Sequence, residues 1–187
     1  MALILASASP RRRELLTMIG IGDFQVIADQ SDEQTVEGLS PEQTVCEIAL
    51  GKARNVSLLC GEDDIIIAAD TLVFINDKVL GKPSSEAEAA KMLRELSGCR
   101  HRVYTGVALL QGGRESTFSE MTDVFFREIS DDEINAYIET GEPMDKAGAY
   151  GAQGGGAVFI QRIEGDFFNV MGLPLCRLSI MLKDFGV

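Results

Sequence analysis

Three observations predict an α/β fold. Short β-branched or leucine-rich runs alternate with helical segments from the first residues onward. Helix-opening signals, a serine followed by proline or by an acidic or amide residue three positions on, recur between those runs. The most apolar run, Ile65-Ile66-Ile67-Ala68-Ala69, is continuous rather than alternating, as expected for a central strand buried on both faces. With 187 residues, 45% of them hydrophobic, the chain can bury a real core as one domain, residues 1–187, or as two small intimate lobes.

The elements follow in order. Leu3 to Ala6 supplies the first strand. Pro10 to Ile19 reads as a helix with Leu15, Leu16 and Ile19 on its apolar face, Ser9 as its N-cap, Pro10 at its first position and Gly20 closing it. Phe24 to Ala28 reads as a strand, followed by the acidic loop from Asp29 to Gly38. Ser40-Pro41-Glu42-Gln43 combines an N-cap, a first-position proline and a capping-box glutamine, opening a helix toward Leu59 with Val45, Ile48 and Ala49 inward. The central run ends in Asp70. Thr71 to Ile75 continues extended, Asn76-Asp77 turns, and Lys78 to Leu80 returns. Gly81-Lys82-Pro83 breaks this strand before Ser85-x-x-Glu88 caps a helix that buries Met92, Leu93 and Leu96 and ends at Gly98.

Arg102 to Leu110 and Glu115 to Arg127 read as a long antiparallel hairpin about Gln111-Gly112-Gly113-Arg114. Ser130-Asp131-Asp132-Glu133 caps a short helix to Glu139. A glycine-dense loop from Lys146 to Gly156 then precedes an expected strand, Ala157 to Ile163, with Asp166 to Val170 expected as its hairpin partner. Gly172-Leu173-Pro174 leads into a C-terminal helix.

Charge narrows the function classes. Lys and Arg number 17 against 29 Asp and Glu, a formal charge of −12, so the surface field repels nucleic acid and anionic membrane and any basic pocket must be local. No apolar stretch reaches the roughly 20 residues of a membrane span, and the N-terminus lacks signal-peptide features. The cytoplasm is the expected compartment, and neither a membrane nor nucleic acid is an expected partner. Cys46, Cys60, Cys99 and Cys176 stand without a C-x-x-C, and His101 is the single histidine. The cysteines read as buried free thiols, and a zinc site, a serine-histidine triad and a papain-like cysteine site lack support.

The candidate chemistry begins at Ser7-Ala8-Ser9-Pro10-Arg11-Arg12-Arg13. Acidic residues are favoured in a first helical turn by roughly 0.3–1 kcal/mol. Arginines there instead point to an anion, phosphate above all, cradled by backbone N–H groups, the Ser7 and Ser9 hydroxyls and guanidinium forks; the alternative is a solvated basic turn. Asp70 stands at the carboxyl end of the most buried strand, the edge where open α/β sheets place ligands, so it reads either as a chemical carboxylate or as a turn former.

Lys52 and Lys82 are within sequence reach of the same edge as phosphate-binding cations, or are surface lysines. Glu33 offers a second carboxylate, or a loop cap. Two carboxylates with several cations suit a magnesium-assisted attack of water on phosphorus. The glycine loop lacks the G-x-G-x-x-G order, and Gly81-Lys82 lacks Walker spacing. The loop offers close backbone approach and the Gln153 amide, which can donate to and accept from a base edge; its glycines equally suit a tight structural crossing.

Taken together, Ser7-Ala8-Ser9-Pro10-Arg11-Arg12, Ala69-Asp70-Thr71, Gly81-Lys82-Pro83, Lys146-Ala147-Gly148-Ala149-Tyr150 with Gln153-Gly154, and Val170-Met171-Gly172-Leu173-Pro174 resemble the Maf family of nucleoside triphosphate pyrophosphatases, in order and across nearly the whole chain. The resemblance implies a single domain of two lobes around a long mixed, twisted sheet with flanking helices, similar to inosine triphosphatase, with an active-site cleft between the lobes. It implies a house-cleaning hydrolase that splits a nucleoside triphosphate between the α and β phosphates with a divalent metal, Mg, Mn or Co.

Position by position, the resemblance implies Asp70 as general base and Glu33 with Asp70 as metal carboxylates. It implies Arg12 or Arg13, Lys52 and Lys82 as phosphate-binding cations. Arg12, Thr71 and Gln153 match positions that separate specificity branches. Ala147-Gly148-Ala149-Tyr150-Gly151 is similar to the branch acting on dTTP and UTP, whereas the 7-methyl-GTP branch differs in this loop; Gly155-Gly156 extends the glycine run beyond the family pattern. A homodimer is common among related proteins. The family's name also carries a different reading, a non-catalytic nucleotide-sensing regulator of septum formation.

Overall fold

A computed structural model of the chain describes residues 1–29, 38–76 and 78–187. Glu33, most of the acidic loop and Asp77 of the expected turn lie outside the described residues. The elements are β1 (Leu3–Leu5), α1 (Pro10–Met18), β2 (Gln25–Val26), α2 (Pro41–Ser57), β3 (Ile65–Ile75), β4 (Lys78–Leu80), α3 (Glu86–Leu96), β5 (Arg100–Gln111), β6 (Arg114–Phe126), α4 (Asp131–Glu139), β7 (Ile160–Glu164), α5 (Phe167–Val170) and α6 (Leu175–Asp184). The strands form one mixed sheet in the order β2-β1-β3-β5-β6-β7, with β4 paired to β3, the α/β architecture that the alternating pattern predicts. No helix among the described residues is long and apolar enough to cross a membrane.

Contacts divide the chain into two compact units. The first comprises Met1–Thr71, Thr105–Glu120 and Gly172–Val187. Here β1 runs parallel to both β2 and β3, with Ile4 opposite Gln25 on one side and Ile66 on the other. Every residue of β3 from Ile65 to Asp70 is buried, the condition that the continuous apolar run anticipates. The Ser40 capping box forms as expected, and α2 packs Ala49, Leu50, Ala53 and Val56 against Ile4, Ile66, Ala68, Ala108 and Leu110. The helix sits directly on the sheet backbone because position 106 is glycine. A Cβ there would lie 2.2 Å from the Val45 carbonyl oxygen, far inside van der Waals contact.

The second unit comprises Leu72–Tyr104 and Met121–Met171. β4 folds back antiparallel on β3, pairing Leu80 with Val73, and β7 runs antiparallel to β6. Its core joins Leu80, Leu93, Leu96, Val103, Phe126, Ile134, Tyr137 and Tyr150. The serine caps of α3 and α4 form as the sequence predicts, each accepting from the backbone three residues on.

Several expectations require correction. The strand expected over Ala157 to Ile163 begins only at Ile160, because Gly155–Phe159 forms a 3-10 turn. That turn brings buried Gly156 so close to the Gly151 carbonyl that a Cβ would lie 2.9 Å away, a local packing demand that overrides the β propensity of Val158 and Phe159. Asp166 to Val170 is no hairpin strand: the Asp166 carboxylate accepts from the Phe168 and Asn169 amides at 2.7 and 3.4 Å, capping α5. The Phe24 to Ala28 strand contracts to Gln25–Val26, which pairs through β1. The cysteines are free but not buried: Cys46 and Cys60 are half-buried, and Cys99 and Cys176 are exposed, the first in the turn after α3 and the second on an outward position of α6.

Candidate active site

In the first unit, β1 ends opposite Ile67 of β3, and the candidate residues lie just beyond that point. The expectation that Asp70 closes its strand is corrected, since β3 continues through Asp70 and Thr71 to Ile75. Ala6 continues the pairing by donating its N–H to the Ile67 carbonyl at 2.8 Å. Ser7 follows, buried, and its hydroxyl oxygen accepts from the Ser9 N–H at 3.2 Å and from Arg12 Nη1 at 3.1 Å. Ser9 occupies the N-cap position, yet its side chain makes no cap hydrogen bond. Ser9 is thus the N-cap residue and Pro10 the first helical residue, as expected, but the side chain that orders the approach to α1 is Ser7.

Arg12 is locked in place. Its Nε donates to the Gly172 carbonyl at 2.8 Å, and Nη2 donates to Thr71 Oγ1 at 3.2 Å. Thr71 in turn shares a hydrogen bond of 2.9 Å with Thr105, from β5. Gly172, at φ +100°, adopts a conformation that side chains rarely reach, and a Cβ would lie 3.2 Å from Thr71 Oγ1. The Gly172-Leu173-Pro174 motif therefore serves as the seat of Arg12. Arg13 points elsewhere; it is exposed and lines a surface hollow of about 570 Å³ with Pro10, Glu14, Thr17 and Met18.

Asp70 lies on β3 immediately before Thr71 and is 5% exposed. Lys52 crosses from α2 to place Nζ 2.7 Å from Asp70 Oδ1. Asp70 Oδ2 is buried with no hydrogen-bond partner among the described residues, a condition that costs about 1–3 kcal/mol in a folded protein. A cation or a transferable proton at that oxygen offsets the cost.

The first unit thus brings together Ser7, Ser9, Arg12, Lys52, Asp70 and Thr71. Lys82 and Gln153 belong to the second unit, and both are exposed. The Lys82 segment is tied to the glycine-rich loop by the Gly148 N–H, which donates to the Gly81 carbonyl at 3.0 Å. Gly148 has φ +70°, and a Cβ would meet both Val73 methyls at 3.1 Å. Glu33 lies outside the described residues. Thr105 and the carbonyl role of Gly172 were beyond sequence reading, because neither an isolated threonine in a strand nor a glycine before Leu-Pro signals a partner far along the chain.

The chain matches the family described as Maf-like protein over residues 2–185. It is 52% identical over 184 residues to a dTTP/UTP pyrophosphatase of Geobacillus sp. (strain WCH70), covering 98% of each protein. It is 47% identical over 185 residues to a dTTP/UTP pyrophosphatase of Bacillus cereus (strain ZK / E33L), covering 99% of this chain and 96% of the relative. A solved HAM1 protein from Coxiella burnetii shares the fold with a TM-score of 0.51 at 15% identity, over 98% of this chain and 99% of that one. The full-length match and the residues gathered around Asp70 agree, and the chain belongs to the Maf family.

Proposed function

We propose that this chain is a nucleoside triphosphate pyrophosphatase that hydrolyses dTTP and UTP to the monophosphate and pyrophosphate. The observation that carries the reading is the 52% identity, over 98% of the chain, to a dTTP/UTP pyrophosphatase. The whole chain, residues 1–187, acts as one domain on free nucleotide in the cytoplasm, keeping the nucleotide pool clean.

The chemistry follows from the Asp70 environment. Lys52 holds Oδ1, which fixes the carboxylate plane and leaves Oδ2 to take a proton from the attacking water. The water oxygen bonds to phosphorus at the α–β linkage, that linkage breaks, and its electron pair leaves on pyrophosphate. Lys52 attracts the phosphates and stabilises the charge on the departing group with the Ser7 and Ser9 hydroxyls, and Lys82 is assigned the same phosphate-binding role from the sequence pattern. Arg12, anchored to Thr71, shapes the side of the site that receives the nucleoside. Gln153 reads the base edge through its amide.

The donor set fits a divalent cation of the Mg, Mn or Co type. Such ions are held by one or two carboxylates together with substrate phosphates. The Asp70 carboxylate, with about four acceptor sites of which Lys52 takes one on Oδ1, can hold such an ion without giving up the site that takes the proton. Asp70, with Glu33 proposed from the sequence pattern, would hold the ion, which supplies Lewis-acid neutralisation of phosphate charge. A panel of nucleoside triphosphates, assayed for pyrophosphate with Mg²⁺, Mn²⁺ and Co²⁺, tests the reading. We expect dTTP and UTP to have the highest kcat/KM. Preference for 7-methyl-GTP, or nucleotide binding without turnover as in a sensor, overturns it.

A further inference from the structure

The glycine-rich loop is fastened by two side chains that the sequence does not single out. Glu142 opens the 3-10 turn Glu142–Asp145 just after α4. Its Oε1 accepts from the Tyr137 hydroxyl at 2.8 Å, and its Oε2 accepts from the Gly155 N–H at 2.9 Å. The Tyr137 oxygen accepts in turn from the Gly151 N–H at 3.0 Å. One carboxylate and one phenol therefore hold the loop on both sides of Gln153.

The glycines are cut to fit this pair. A Cβ at Gly151 would lie 2.6 Å from Glu142 Oε1, one at Gly154 would lie 2.3 Å from the same atom, and one at Gly156 would lie 2.9 Å from the Tyr137 hydroxyl. Each distance is shorter than real Cβ contacts, so a side chain at Gly151 or Gly154 would displace the Glu142 carboxylate from its hydrogen bonds, and one at Gly156 would meet the Tyr137 hydroxyl and the Gly151 carbonyl together. Burial pushes the Tyr137 phenol upward from its ordinary value, so it stays protonated and keeps donating to Glu142.

We propose that Tyr137 and Glu142 are positioning residues for base selection, holding Gly151–Gly156 in the one shape that presents Gln153 to the nucleobase. The inference rests on the reading above, in which Gln153 contacts the base. Glutamine cannot replace Glu142, because both oxygens accept and an amide would face one donor with another donor. Tyr137→Phe removes a single oxygen, leaving the Gly151 amide and Glu142 Oε1 unpaired.

The experiment compares Tyr137→Phe, Glu142→Gln, Gln153→Ala and the Tyr137→Phe/Gln153→Ala double variant, using dTTP and dGTP as substrates and amide hydrogen exchange as a second readout. Each single variant is expected to raise KM for dTTP about tenfold while kcat changes by less than about threefold, narrowing the dTTP-to-dGTP preference. The double variant is expected to match the worse single, since the two changes act on one contact. Exchange at Gly151, Gly155 and Gly156 is expected to accelerate in the Tyr137 and Glu142 variants.

If Gln153→Ala raises KM but the anchor variants alter neither KM nor loop exchange, the anchoring inference is overturned and the base contact stands. If Gln153→Ala leaves KM and preference unchanged, the base contact is wrong and the inference falls with it. A drop in kcat and Tm at unchanged preference marks a purely structural role and overturns the inference. Should Glu142→Gln fail to fold, Tyr137→Phe alone decides.

Discussion

Lys52 Nζ, carried by α2, sits 2.7 Å from Asp70 Oδ1 on β3, with the two side chains 16% and 8% exposed. Two charges this sheltered depend on each other. Removing one partner of a buried pair costs about 3–5 kcal/mol, because the remaining charge loses its compensation. Lys52→Met is therefore expected to lower urea-unfolding stability by about that amount, and Lys52→Met/Asp70→Asn is expected to recover most of the loss. A double variant whose cost equals the sum of its singles contradicts the coupling.

Arg12 joins three partners from separate stretches of the chain: Ser7, Thr71 and Gly172. Lysine carries the charge but not the fork that reaches all of them. Arg12→Lys is expected to reduce kcat/KM by about 10- to 100-fold, with each lost charge-assisted hydrogen bond contributing about 1.5–3 kcal/mol at most. Steady-state kinetics with dTTP check this; wild-type kcat/KM in Arg12→Lys contradicts a positioning role for the guanidinium.

His101 gives the fold a pH dependence. It is 1% exposed, its Nε2 lies 2.9 Å from the Tyr150 hydroxyl, and burial lowers its pKa from 6.5 to about 4. Between those values the unfolded chain binds a proton that the folded chain does not, so stability is complete above pH 6.5 and declines as pH falls through the window toward 4. The loss amounts to about 3 kcal/mol across the window. Denaturation of wild type and His101→Gln at stepped pH tests it: the wild-type loss between neutral pH and pH about 5 is expected to shrink in the variant.

Gly106 sets how closely α2 approaches β5. Adding a Cβ 2.2 Å from the Val45 carbonyl forces the helix outward, and overpacking of this kind costs about 1–3 kcal/mol. Because Lys52 rides on the same helix, Gly106→Ala is expected to lower both Tm and kcat. A thermal melt and an activity assay check this, and an unchanged Tm contradicts the packing argument.

Local signals were the legible part of this fold. The capping boxes at Ser40 and Ser130 and the buried run of β3 depend on nearby residues, and each forms where the sequence predicts it. The sequence reading of Asp70 as a strand end was not met, because β3 continues past it to Ile75. Features set by distant contacts were not legible. The 3-10 turn at Gly155–Phe159 follows from Tyr137 and from backbone it touches across the loop, and α5 follows from an Asp166 cap hidden inside a β-like composition. Ser9 takes the N-cap position that its sequence signals, but the hydroxyl that binds there is that of Ser7, two residues earlier, which accepts from the Ser9 N–H and from Arg12. Glu142 carried no signal at all, since its partners are glycine backbones that any loop could contain.

The most direct test of the central claim follows dTTP hydrolysis with a divalent metal by phosphorus NMR, in wild type and in Asp70→Asn. The account predicts dTMP and pyrophosphate in equal amounts from wild type, and a rate lower by about 10²–10⁴-fold in a normally folded Asp70→Asn, as befits loss of a general base. Formation of dTDP and phosphate by wild type, or wild-type turnover by Asp70→Asn, would contradict it.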